Sequence, residues 1–389
     1  MGRLRSPAAV LRIGSVSVVL GVLGLLASGC GGAKHAPSPA PKPETITTPN
    51  HGDRTGTNIY SADRAGDLSP TVAHDLALVY VPNSLSNTVT VISQSTLKVV
   101  GTFPTGALPQ HVTPSHDLRT LYVDNDLGNS LTPLNPRTGR PAGKPIPVED
   151  PYNLYFTPDG GYAIVVAERL QRLDFRDPGT MRLVDSLSVP MCRGVDHMDF
   201  SADGRYAFAS CEFSGRMIEI DLRTRRVIHT AVLGGGLTSP QDVKLAPDGR
   251  LLYVADQLRG GLWEIDPSTF RVTGFLRTGA GAHGLYPSRN ARVLYVSNRS
   301  AGTISVVSFG SRRVIQTWRL PPPASPDMGG VSADGRTLWL SGRYNAEVYA
   351  IDTRSGKLRA RIPVGEGPHG LCVWPQPGRY SLGHTGVMR

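Results

Sequence analysis

Between residues 70 and 374 the apolar residues fall into short runs, each broken by Gly, Pro, Asp or Asn. The clearest stretch is 239–279, SPQDVKLAPDGRLLYVADQLRGGLWEIDPSTFRVTGFLRTG. Its first run, 243–246, stops at Pro247-Asp248-Gly249, a turn in which glycine supplies the positive φ that other residues resist. A second run fills 251–255 and a third 262–265, and Asp266-Pro267 then turns the chain into a fourth at 271–276. Runs this short, rich in Val, Leu and Tyr and bounded by turn residues, predict strands rather than helices.

The pattern recurs. Second-strand runs stand at 78–81, 120–123, 162–166, 206–210, 251–254, 293–296 and 337–340, about 41 to 45 residues apart. Four strands per period of that length predict the blade of a propeller. One blade cannot bury both faces of its own sheet, so the blades must cover one another and the ring must close. A first-strand pattern at 369–374 is followed by no second strand, whereas the blade that begins near Ala77 lacks a clear first strand. The C-terminal strand is therefore expected to complete the first blade. The predicted fold is all-β, a seven-bladed β-propeller of four-stranded antiparallel blades over 69–375, followed by a polar, Gly-rich tail at 376–389.

The N-terminus reads differently. Arg3, Arg5 and Arg12 precede an apolar stretch at 13–26 that ends Leu26-Ala27-Ser28-Gly29-Cys30. Small residues before a cysteine here resemble the lipobox of bacterial lipoproteins, although Ala27 stands where Leu is commoner. The resemblance implies a signal peptide at 1–29, cleavage before Cys30 and lipidation of Cys30, placing the domain outside the cytoplasmic membrane; an ordinary cleaved signal is the alternative. Residues 30–68 begin with alternating prolines (Pro37, Pro39, Pro41, Pro43) and are expected to be a spacer.

Charge adds little. The formal net charge is +10, but the arginines are scattered, and Arg119, Arg205, Arg250, Arg292 and Arg336 recur after the first turn of their blades as solvated hairpin positions. Nucleic acid is a poor partner for a secreted chain without a clustered basic stripe. Cys192 and Cys211 lie at ends of antiparallel strands that share an edge, so a disulfide is expected; the alternative makes one of them a metal ligand beside His197. Cys372 is expected to be a buried thiol.

Segments such as LYVDN, LLYVADQ and VLYVSNRSAGTISVVS, with the turn pattern at 157–160, 201–204, 246–249 and 332–335, resemble the YVTN repeat. The resemblance covers about 70–374. It implies the propeller fold and leaves function open, because propellers of this superfamily include binding modules, lactonases, and haem- or copper-bearing denitrification enzymes. The WD40 signature is absent, as are a G-x-S-x-G elbow, a Walker loop and a C-x-x-C-H haem attachment motif.

First strands of a propeller line its channel, so equivalent positions form a ring. Counting back six residues from the turn aspartates Asp117, Asp159, Asp203, Asp248 and Asp334 gives His111, Asn153, His197, Asp242 and Met328; the Gly-x-His-Gly and Pro-His-Gly motifs add His283 and His369. Four of seven positions are histidine in a chain that has ten. Two readings stay open. The ring can be a hydrated channel lining. It can also hold copper, zinc or haem iron, with His369 beside His111, or Asp242 flanked by His197 and His283. Loops leaving the second strands open toward the same end and carry Asn83, Asn125, Glu168, Glu212, Asp256, Asn298 and Arg343. The Asn residues are expected to end strands through Asx-turns. Glu168, Glu212 and Arg343, together with Asp256, remain candidates for ligand recognition. The leading expectation is a membrane-anchored, monomeric binding or scaffolding module that needs no cofactor and recognises a small ligand or a cell-surface protein. A metal- or haem-dependent redox protein and a lactonase-like hydrolase are the alternatives.

Overall fold

The computed structural model describes residues 58–389; the signal peptide, Cys30 and most of the spacer lie outside them. Seven antiparallel sheets form the ring. Blade 4 shows the plan, with strands Val195–Phe200, Tyr206–Cys211, Arg216–Asp221 and Arg226–Val232 running from the channel outward. Burial falls along this path. The first two strands are buried throughout, whereas the outer strand is mostly exposed or half-buried.

The apolar residues sort into seven clusters, one at each junction between neighbouring blades. Tyr155, Ile164 and Phe175 of blade 3, for example, pack on Met198, Phe200 and Ala207 of blade 4. Alternating side chains thus bury both faces of each sheet against two neighbours, which is why the chain shows buried inner strands without long apolar segments. Four of the recurrent first turns share one device, whereas Asp248, which follows Ala246, accepts the Arg250 amide (3.0 Å). Ser or Thr bonds the acidic residue two positions on, as Thr157 Oγ1 does to Asp159 Oδ1 (2.6 Å) and Ser332 Oγ to Asp334 Oδ1 (2.5 Å). The turn aspartates are therefore structural.

Closure follows the expectation. Cys372–Trp374 pairs antiparallel with Leu78–Asn83, Trp374 opposite Leu78 and Cys372 opposite Tyr80. Blade 2 departs from the plan, because its outer strand is split into the pairs Arg140–Pro141 and Ile146–Pro147. Prolines there supply no amide to continue the ladder. Cys192 and Cys211 form a disulfide, and Cys372 is a buried free thiol.

Both flanking segments dock on the propeller. Tyr60 donates its hydroxyl to the Leu245 carbonyl (2.7 Å), Gly66 donates its amide to the Ala333 carbonyl (2.9 Å), and Asp63 pairs with Arg289. The spacer predicted to reach residue 68 is therefore already part of the folded unit from residue 59. The tail crosses the channel end beside the first-strand C-termini. There Phe156 donates its amide to the Leu382 carbonyl and His384 to the Leu154 carbonyl, both at 2.9 Å. Arg389 closes it with a 2.6 Å ion pair to Asp199. Buried Leu382 and Met388 join the clusters between blades 3 and 4 and between blades 1 and 2.

Candidate functional site at the channel mouth

A recurrent irregularity builds the site. Strand pairing breaks between Val195 and Met198 in blade 4, Pro240 and Val243 in blade 5, Ala282 and Leu285 in blade 6, and Pro326 and Gly329 in blade 7. Blade 2 breaks between Pro109 and His111. Each break is a bulge that lets consecutive residues escape the ladder, where a regular strand would alternate them between faces. Asp196 thus accompanies His197, and Asp327 accompanies Met328. Amides freed by the bulge find side-chain partners. Ser210, Ser297 and Ser341 of the second strands accept from His197, Gly284 and Met328. The preceding blade accepts from the next free amides, through Tyr155 for Met198 (3.0 Å), Asp242 for Leu285 (2.8 Å) and Tyr286 for Gly329 (2.6 Å).

The predicted ring residues do converge, and a fifth histidine joins them. His384 enters from the tail, its ring 4.6 Å from that of His197 and 5.4 Å from that of His111. His111 lies 4.9 Å from His369, and His283 lies 6.0 Å from both His197 and His369. All five are buried, and burial before any other cause lowers their basicity, so all are neutral near pH 7.

Their partners differ. His111 Nδ1 lies 2.8 Å from the Tyr152 carbonyl, so it carries the proton and Nε2 is a bare lone pair without a partner. Asn153 Nδ2 reaches Nδ1 of both His197 and His384 at 3.1 Å. His369 Nδ1 meets Gln110 Oε1 at 3.0 Å. His283 Nδ1 stands 2.9 Å from Met328 Sδ and 3.2 Å from Asp327 Oδ1, which also receives Arg299 at 3.2 Å. Burial pushes the Asp327 carboxyl up, and Arg299 and Arg343 draw it back.

Several predicted roles change. Asp242 is not flanked by His197 and His283 as a ligand. Its Oδ1 accepts the Val243 amide and its Oδ2 the Leu285 amide, both at 2.8 Å, so it is tied to backbone across two blades. Asp256 accepts the amides of Ser239, Leu258 and Arg259 and the indole N–H of Trp263 (2.7 Å), which commits it to structure. Asn83, Asn125 and Asn298 are buried and bond across to third-strand hydroxyls, such as Asn83 Nδ2 to Thr90 Oγ1 (2.9 Å), instead of forming Asx-turns. Met328 contacts His283 and the Tyr286 hydroxyl inside the channel.

Glu168, Glu212 and Arg343 hold the mouth above the histidines. Burial, then the charges of Glu212, Asp126 and Asp150, raise the Glu168 carboxyl to about 8 against the pull of Arg169. Glu212 is raised by burial and held back by Gln241, Arg299, Ser239 and Arg343. Arg343 buries an Nη1 that has no partner. Sequence reasoning missed Asp196, Asp327, Arg299 and His384. The first two are hidden by the bulges, and His384 lies in a tail with no strand pattern.

A groove of about 1000 Å³ lies on the opposite face between the 58–62 segment, the first turns of blades 3 and 4 and the tail. Its Arg205 and Arg225 are already paired with Asp221 and Asp185, and it contains none of the channel histidines. Volume therefore does not mark the chemistry here.

Residues 65–377 match the YNCE-like beta-propeller family. The chain belongs to that family. Solved structures of similar fold include Kuenenia stuttgartiensis hydrazine synthase, with a TM-score of 0.62 and 18% identity over 75% of this chain and 98% of that one. The dihydro-heme d1 dehydrogenase NirN in complex with DHE gives 0.60 and 15% identity, covering 80% of this chain and 78% of that one. A putative 6-phosphogluconolactonase from Bacteroides uniformis gives 0.59 and 17%, covering 76% and 98%. Identities this low establish the shared fold and no more. Comparison with curated proteins finds no match. Among the described residues no helix is long and apolar enough to cross a membrane.

Proposed function

We propose that this YNCE-like propeller is a binding module whose channel mouth takes a small zwitterion, an amino acid or short peptide, outside the cytoplasmic membrane. The observation that carries the reading is the division of charge at the mouth. Glu168 and Glu212 follow the second strands of blades 3 and 4, and Arg299 and Arg343 follow those of blades 6 and 7. Blades 3 and 7 stand nearly opposite in a ring of seven. A carboxyl held neutral by burial and like charges gains from an ammonium group. A buried guanidinium N–H without a partner gains from a carboxylate. The tail and the 58–68 segment cover the other end of the channel, which favours entry from the mouth.

Lipidation of Cys30 supplies the anchor in this proposal, and the chain acts as a monomer. A melting-temperature screen of amino acids and short peptides, beside matched amines and simple carboxylates, tests the binding reading. Zwitterions should raise the melting temperature, the single-charge analogues should not, and Arg343→Ala or Glu212→Ala should remove the shift. Equal shifts from the analogues, or none from any compound, would reject it. Lipid labelling lost in Cys30→Ala tests the anchor.

A further inference from the structure

Beneath the mouth, one ring nitrogen from each of His111, His197 and His384 lies within 4.8 Å of one from each of the others, and all three residues are buried. The Nε2 atoms of all three are buried without a hydrogen-bond partner. Burying a polar atom with nothing to bond is unfavourable, so three such nitrogens converging, two of them with only a carboxylate nearby, point to a ligand.

The Nδ1 side is prepared. At His111 the Tyr152 carbonyl fixes the proton on Nδ1 (2.8 Å), the outer contact that orients a metal-bound imidazole. At His197 and His384 both Nδ1 atoms face the Asn153 amide at 3.1 Å. Turning that amide over gives up the bond Oδ1 accepts from the Leu154 amide (3.0 Å) and places the oxygen where the nitrogen stands, an exchange that a bound ion would have to favour. Oδ1 would then accept Nδ1–H from both rings and leave all three Nε2 atoms free to donate lone pairs. Charge is also at hand. Asp196 lies 3.3 Å from His197 Nε2, and Asp242 lies 3.5 Å from His384 Nε2. Lys244, buried beside Asp242, is the opposing charge.

We infer that His111, His197 and His384 form a transition-metal site, for zinc or copper, whose third ligand is delivered by the C-terminal tail. Three imidazoles with an open fourth position suit these ions. A tetrahedral ion needs ligand nitrogens about 3.4 Å apart, so the rings must close in. A cavity of about 40 Å³ bordered by Asp242, Lys244 and His384 leaves slack on the tail side. The neighbouring group of His283, Asp327 and His369 is a weaker candidate, because Arg299 already sets a positive charge 3.2 Å from Asp327. The site stands independently of the zwitterion reading, since neither Glu168 nor Arg343 ligates it.

The test is zinc titration of the full chain against a competing chelator, repeated with cobalt to read the visible spectrum. One equivalent should bind, cobalt should give intense tetrahedral bands, and His111→Ala or His384→Gln should weaken zinc at least 100-fold. His384→Gln keeps the side chain's bulk, so an unchanged metal-free melting temperature separates ligation from packing. If His384→Gln destabilises the fold, His111→Ala decides alone. His283→Ala should leave binding intact. No uptake at micromolar zinc, or uptake lost in His283→Ala and kept in His384→Gln, would overturn the assignment.

Discussion

Glu168 shows how one buried acid ties fold to recognition. Its carboxyl is raised from an ordinary value near 4.5 to about 8, first by burial and then by Glu212, Asp126 and Asp150. A raised folded value means the protonated acid favours the native state. That stability is whole below pH 4.5 and is lost as pH climbs toward 8. Glu168→Gln should therefore flatten the pH dependence in this window and raise the melting temperature at pH 8 by a few degrees, checked by thermal melts from pH 4 to 9. At this scale the sequence revealed the ring histidines because repeats align them. It concealed Asp196 and Asp327, because a bulge breaks the two-residue alternation from which facing is inferred. It also misassigned Asp242 and Asp256, whose carboxylates are consumed by backbone amides that no spacing reveals.

The tail is the element that changes the picture. Its Gly-rich, polar composition carries no strand period, yet Leu382 is fully buried and His384 reaches the channel. Specific polar contacts hold it, so apolar periodicity could not find it. The Arg389–Asp199 pair is its clasp, at 2.6 Å with the guanidinium also 4.9 Å over the Tyr60 ring. Asp199 keeps the amides of Phe200 and Leu245 when Arg389 is removed. Arg389→Ala should therefore cost about 3 kcal/mol, the low end for breaking a buried pair, in denaturant unfolding. A change below 0.5 kcal/mol, within the scatter of ordinary surface substitutions, would mean the tail is not clasped. The four-strand blade was legible by contrast, because its turns repeat Ser or Thr with Asp at a fixed offset and its apolar runs keep one period.

For the whole molecule, stability is distributed over seven inter-blade clusters and depends on closing the ring. Trp374 carries that closure. It is fully buried opposite Leu78, and its indole N–H reaches Asp75 at 2.8 Å. Trp374→Ala should cost about 3–5 kcal/mol and shift the midpoint of a single unfolding transition, since blades that share faces unfold together. Two separate transitions would contradict that coupling. The ring also explains why function was less legible than fold. Repetition specifies the blades, whereas recognition rests on the positions where blades differ, Glu168, Glu212, Arg299 and Arg343 at one end and the unrepeated tail at the other.

Calorimetric titration of the full chain at pH 7, with the best zwitterion from the screen and in two buffers of different ionisation enthalpy, is the most direct measurement of recognition at the mouth. An ammonium beside Glu168 lowers its raised value of about 8, so binding should release a proton, and Glu168→Gln should bind without release. Binding that exchanges no proton, that still releases one in Glu168→Gln, or that is indifferent to Arg343→Ala would contradict the mouth as the binding site.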